Sequence, residues 1–163
     1  MTELAANGKP VESVWDFPRP PRLELVPWRI RVIHRGQVLC DAPSAHRVLE
    51  TSQPPAYYVD PAHVDDTKLV PSTHGSFCEW KGRASYADLV VGDERVPDAA
   101  WTYLDPTPRF VDIAGSWAFY AQTVDECWVD DEQVAANPGS FYGGWITSNV
   151  VGPFKGAPGT AHW

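Results

Sequence analysis

Cys78-Glu79-Trp80-Lys81-Gly82-Arg83-Ala84-Ser85-Tyr86 places a thiol, a carboxylate, an indole and an ammonium on four successive residues. Side chains of an extended strand alternate between its two faces. A strand here therefore sends Cys78, Trp80, Ala84 and Tyr86 to one side and Glu79, Lys81, Arg83 and Ser85 to the other. One face is apolar and the other charged, which is the pattern of a half-buried strand. The outer charge row of such a strand carries little energy. Gly82 interrupts the pattern, because a glycine inside a strand marks a bulge or a close approach of backbone or ligand. A bulge would re-aim Lys81 relative to its neighbours.

The segments on either side have the same β texture. Trp28 to Ile33 alternates, Arg35-Gly36 offers a turn, and Gln37 to Cys40 returns, which predicts a hairpin. Ser44 to Glu50 starts as a helical turn that Pro54-Pro55 stops from lengthening, and Tyr57-Tyr58-Val59 is a short strand. Asp60-Pro61-Ala62-His63-Val64 has the form of a capped helical turn with proline at its first position. Ala87 to Val91 runs into a Gly92-Asp93 turn, and Val96 to Tyr103 returns with Trp101 and Tyr103 on one face. Pro106 to Ile113 predicts a short helix that Gly115 ends, before two closing strands at Trp117–Tyr120 and Val124–Val129. Asp130-Asp131-Glu132 is expected to be a solvated turn.

The expected class is all-β with one or two short helices. Three stretches are expected: an irregular, proline-rich arm over 1–27, a folded domain over 28–135, and a glycine- and aromatic-rich tail over 136–163. The tail carries Phe141, Tyr142, Trp145, Phe154 and Trp163, and a disordered linker would be depleted in such residues. It is therefore expected to pack in extended form on the domain.

Composition narrows the functions. A chain of 163 residues is large enough to bury about 70% of its unfolded surface without a metal or disulfide staple. The net charge of −8 argues against nucleic acid, whose affinity depends on clustered Lys and Arg. Apolar runs are far shorter than a membrane span, and the start lacks the charged and apolar regions of a signal peptide. The expected location is the cytoplasm, as a monomer or weak homodimer. Cys40, Cys78 and Cys127 are odd in number and far apart, and no His-x-x-x-His or Cys-x-x-Cys spacing occurs. Reduced, buried thiols are expected, with no metal and no cofactor. No phosphate-loop, dinucleotide or nucleophile-elbow motif is present.

Several motifs in register resemble a bacterial family. Val48-Leu49-Glu50-Thr51-Ser52, Pro54-Pro55-Ala56-Tyr57-Tyr58, Cys78-Glu79-Trp80-Lys81-Gly82 with Ala84 and Tyr86, Ala100-Trp101-Thr102-Tyr103 with Asp105-Pro106, and Ile113-Ala114-Gly115 with Ala118-Phe119-Tyr120 are similar to the family called domain of unknown function 427. The match spans roughly residues 28–130. The resemblance implies a β-tent: two antiparallel sheets meeting at an angle, related to the Mss4-like proteins and the ligand-binding domain of cereblon. Those relatives commonly hold zinc with paired cysteines, which this chain lacks. The family's nucleotidyltransferase-like label has no support here, since no Gly-Ser motif followed by closely spaced carboxylates would hold magnesium. Many members have proline at the position of Glu79 and aspartate at that of His63. Cys78, Lys81, Gly82 and Tyr86 match position by position.

The twenty aromatic residues, 8 Trp, 6 Tyr and 6 Phe, mostly fill a core, but rigid rings also line ligand sites. The first expectation is a module that binds a small molecule of unknown identity in a pocket lined by Tyr57, Tyr58, Trp80, Trp101 and Phe119, oriented by Glu50 and Lys81. A second is an enzyme with Cys78 as nucleophile, its pKa lowered by Lys81 or His74 and with Glu50 or Glu79 as base. Strand alternation opposes it by separating Cys78 from Lys81. A third is a protein-interaction module working through the aromatic tail and the proline-rich arm.

Overall fold

The structure, a computed structural model, describes residues 3–139 and 141–163. In chain order the strands are β1 (Glu12–Ser13), β2 (Arg22–Val26), β3 (Ile30–His34), β4 (Gln37–Ala42), β5 (Ala45–Leu49), β6 (Ala56–Tyr58), β7 (Leu69–Cys78), β8 (Gly82–Val91), β9 (Glu94–Thr102), β10 (Trp117–Phe119), β11 (Glu126–Val129), β12 (Glu132–Gln133), β13 (Ala135–Ala136), β14 (Trp145–Ile146) and β15 (Val150–Val151). They form an all-β fold of several sheets. Two four-stranded antiparallel sheets run β10-β9-β8-β7 and β12-β11-β3-β4, and β2-β5-β6 is a three-stranded third. The short pairs β13-β14 and β1-β15 bring in the tail, the latter by parallel pairing with the chain start.

The helical segments among the described residues are 3-10 turns. Pro61–His63 is capped as its sequence predicts: Asp60 accepts from the Ala62 amide and proline occupies the first turn. Pro108–Ile113 likewise begins on proline and buries Phe110 and Ile113.

Two segments before β6 differ from expectation. Ala45–Leu49 is strand, not a helical turn, and it pairs with Arg22–Val26, which lies inside the stretch expected to be irregular. The cause is long-range. Glu24 stands opposite Arg47 across the ladder, and the buried Arg47 guanidinium is hydrogen-bonded by Glu24 and Glu12. Such cross-strand pairing outweighs weak local propensity.

The buried apolar side chains described form three clusters, the smallest of them Val14, Phe17, Leu49 and Val150, and strand alternation sorts residues between the two larger ones. Tyr57, Ala100 and Phe119 point into the larger core with Ile30, Val32, Leu39, Leu89 and Trp145. Their immediate neighbours Tyr58, Trp101 and Ala118 point into the second, with Ala84, Tyr103, Phe110, Ile113 and Tyr120. The first mixes aliphatic side chains with the rings of Tyr57, Phe119 and Trp145. The second is built of rings and opens into a cavity.

Candidate functional site: an aromatic cavity beside a buried lysine

The stretch from Cys78 to Tyr86 is not one strand. Cys78 ends β7, Gly82 begins β8, and the two face each other in the ladder, so Glu79-Trp80-Lys81 is the loop of a three-residue hairpin. Gly82 has φ +107°, a conformation open to glycine and costly for other residues. The loop is docked on the segment before the Pro108–Ile113 turn: Thr107 donates its amide to the Lys81 carbonyl at 3.0 Å and its hydroxyl to the Trp80 carbonyl at 2.6 Å. Lys81 therefore does not project into water as an alternating strand would require. It is 9% exposed, and its Nζ lies 5.6 Å from the centre of the Tyr103 ring, within range of a cation–π attraction.

The cavity it enters has a volume of about 270 Å³ and is walled by Tyr58, Trp80, Trp101, Tyr103 and Tyr120, with Glu50, Cys78 and Lys81 among its polar lining. The rings meet edge to face or tilted, with Trp101 and Tyr120 at 49° between planes. Tyr58 and Trp101 meet at 89°, and the indole N–H of Trp101 donates to the Tyr58 hydroxyl at 3.1 Å. Tyr86 donates to Ser76 Oγ at 2.8 Å, and Tyr120 donates to the Phe141 carbonyl at 3.1 Å. Burial pushes the Tyr58, Tyr103 and Tyr120 hydroxyls far above the usual phenol range, so at neutral pH all three are protonated donors. Glu50 follows β5 and accepts from Gln53 Nε2 at 3.1 Å, with Arg19 Nε at 3.9 Å from the same oxygen.

Five of the seven residues expected at a ligand site, Glu50, Tyr58, Trp80, Lys81 and Trp101, line this cavity. Tyr57 and Phe119 lie elsewhere, in the larger core, where Tyr57 stacks on Trp145 at 5.2 Å. Alternation is the reason: Tyr57 and Tyr58 are adjacent on β6 and face opposite sides. The hairpin loop also brings Cys78 and Lys81 to one cavity, which strict alternation had separated. His74 is away from it and exposed; Asp98 accepts from its ring at 2.5 Å. That hydrogen bond, aided by the same carboxylate's charge, raises the His74 pKa.

Other wall residues lay outside the expectation. Tyr103 shares a face with Trp101 two positions earlier, a signal visible in the strand pattern. Phe141, Tyr142, Gly143, Gly144 and Lys155 come from the tail, whose aromatic content predicts packing on the domain without saying where. A Cβ on Gly143 would lie 2.3 Å from the Trp101 ring, so only glycine permits this approach. Among the described residues no group of three or more His, Cys, Asp or Glu is arranged to hold a metal, and no helix is long and apolar enough to cross a membrane.

A family model described as domain of unknown function (DUF427) matches residues 22–130, more than half of the chain. The chain belongs to this family. The matched span contains the whole hairpin from Leu69 to Val91, the Trp101-Tyr103 wall and Glu50, while the tail residues on the cavity fall outside it. No curated protein matches the chain.

Proposed function

We propose that this DUF427 member is a small-molecule-binding module whose ligand occupies the aromatic cavity beside the Glu79-Trp80-Lys81 turn. The observation that carries this reading is the burial of Lys81 on the wall of a ring-lined cavity of about 270 Å³. Ligand sites are mostly apolar and aromatic with a few fixed polar groups, and here Glu50 and Lys81 are those groups. The volume lies just under the range of about 300–1,000 Å³ typical of such sites, which favours a compact ligand. A β-tent, with sheets meeting at an angle, is the proposed frame. The proposed setting is the cytoplasm, and the acidic charge of −8 supports a partner other than nucleic acid.

A thermal-shift screen of the full chain over metabolites tests the reading. A ligand at 100 times its Kd adds about 2.7 kcal/mol to stability. Ala84 is buried on the cavity wall, so Ala84→Leu fills the space; it is expected to abolish the shift while the unliganded protein stays folded. A broad library without a single shift, or a shift that survives the filled cavity, sinks the proposal.

A further inference from the structure

We infer that the ligand is a compact, ring-bearing carboxylic acid, bound as its monoanion with the carboxylate on Lys81. The inference rests on the small-molecule reading above and adds the chemical class.

It begins with an imbalance of charge. Lys81 is 9% exposed, and among the described residues no carboxylate lies within ion-pair distance of its Nζ and no acceptor within hydrogen-bond distance. The stem is buried while the ammonium still meets the water of the cavity, since Nζ is not among the fully buried unpartnered atoms, and a ligand that expels that water leaves the charge costly unless it supplies a partner. The ring of Tyr103 at 5.6 Å offsets only part of that cost. Glu50 is the opposite case. Its carboxylate already has the Gln53 amide at 3.1 Å and Arg19 at 3.9 Å, and Glu79, which also lines the cavity, is exposed, so solvent screens its charge. The charge left for a ligand to neutralise is therefore positive.

Neutral donors reinforce it. Tyr103 is 5% exposed, and its hydroxyl has no hydrogen-bond partner among the described residues. Tyr58 accepts from Trp101 at 3.1 Å and keeps its own O–H to donate. An ammonium and two phenols lining one cavity offer three donor groups to an acceptor-only anion. A carboxylate, with two oxygens and about four lone-pair sites, matches that number. A phosphate dianion fits less well: the other lysine on the cavity, Lys155, lies over Tyr142 at 5.2 Å, and no arginine is on the lining, although arginine is the residue favoured for bidentate phosphate recognition. The remaining walls, Trp80, Trp101 and Tyr120, are flat rings suited to another ring. The cavity volume of about 270 Å³ limits the molecule to one or two fused rings.

The test is calorimetric titration of the full chain with benzoate, cyclohexanecarboxylate and indole-3-carboxylate. Each is run beside its primary amide, with inorganic phosphate as a separate arm. The acids are expected to bind at least about tenfold more tightly than their amides, the worth of one hydrogen bond to a charged group. Lys81→Met is expected to remove that preference. Tyr103→Phe deletes a hydroxyl that no described residue engages, so its fold survives, and it is expected to weaken the acids more than the amides. Amides that bind as well as acids overturn the carboxylate assignment while leaving the cavity a ligand site. Phosphate binding that is lost in Lys81→Met, with no response to the acids, overturns the ring-bearing class. Silence in every arm counts against both the class and the underlying site.

Discussion

Among the three cysteines, Cys78 is the one on the cavity wall. Cys40 and Cys127 are 1% and 2% exposed. Burial pushes the Cys40 thiol up to about 12 and raises that of Cys127 as well, so neither forms the thiolate that reacts. A thiol is activated by a base within hydrogen-bond reach or by a neighbouring cation that lowers its pKa. The sulfur of Cys78 has no hydrogen-bond partner among the described residues, and His74, the imidazole nearest in sequence, is turned to solvent and bonded to Asp98. Among the described residues no base is placed to take the Cys78 proton, and the Lys81 ammonium is an activating group that shares its cavity. With iodoacetamide at neutral pH, mass spectrometry is expected to find Cys78 carboxamidomethylated in the folded protein, and Cys40 and Cys127 modified only after unfolding. Reaction of Cys78 far faster than free cysteine would revive the enzyme reading. Full protection would mean that the cavity is closed to reagents of this size.

At the scale of elements, the loop between β7 and β8 decides what Lys81 does. Its geometry depends on Gly82, whose φ of +107° places a non-glycine residue in a region that costs about 1–3 kcal/mol. A Cβ there has room, with the nearest atom, the Asp105 carbonyl oxygen, at 3.6 Å, so strain and not collision is the mechanism. Gly82→Ala is expected to lower stability by that amount in urea denaturation and to weaken cavity binding by displacing Lys81. A variant as stable as the parent, with binding intact, would show that the loop does not depend on this glycine. Much of this level was legible in the sequence. The β3-β4 and β8-β9 hairpins and the capped turn at Pro61 announce themselves through local turn chemistry, whereas Cys78 to Tyr86 reads as one strand interrupted at Gly82 and is instead a turn between two strands. The helical turn expected at Ser44 failed because β5 is specified by the Glu24-Arg47 pairing, which no window around it contains. Tyr57 and Phe119 were legible in principle: the alternation that splits Tyr57 from Tyr58 was available from the sequence and needed only the observation that β6 divides two cores.

Over the whole molecule, the stretches before and after the sheets interlock with them and with each other. Lys9 pairs with Asp130 at 2.8 Å, Arg47 joins Glu12 to Glu24, and Trp28 lies between Lys9 and Arg47 with cations 4.9 and 4.7 Å from its ring. Trp15 donates to the Pro153 carbonyl at 2.9 Å, which ties start and tail directly. The tail's anchor is Trp145. It is 1% exposed, stacks on Tyr57 with 25° between planes, and donates its indole N–H to the Phe119 carbonyl at 2.9 Å. Its ring therefore belongs to the larger core, while the residues just before it, Phe141 to Gly144, wall the cavity. Core and site share one element. The aromatic side chains that would serve an interaction module are, at Trp145, already used within the chain. Trp145→Ala is expected to cost about 3–5 kcal/mol, as large-to-small changes at buried tryptophan do, and a chain ending at Ala136 is expected to unfold or aggregate. Trp145→Phe keeps most of the apolar volume and loses the hydrogen bond, so it should fall between. Denaturation midpoints and light scattering measure these outcomes. If the shortened chain stays monomeric and as stable as the full one, the tail is an appendage and its cavity wall dispensable. If it loses stability and ligand together, the tail is as much a part of the site as the Lys81 hairpin.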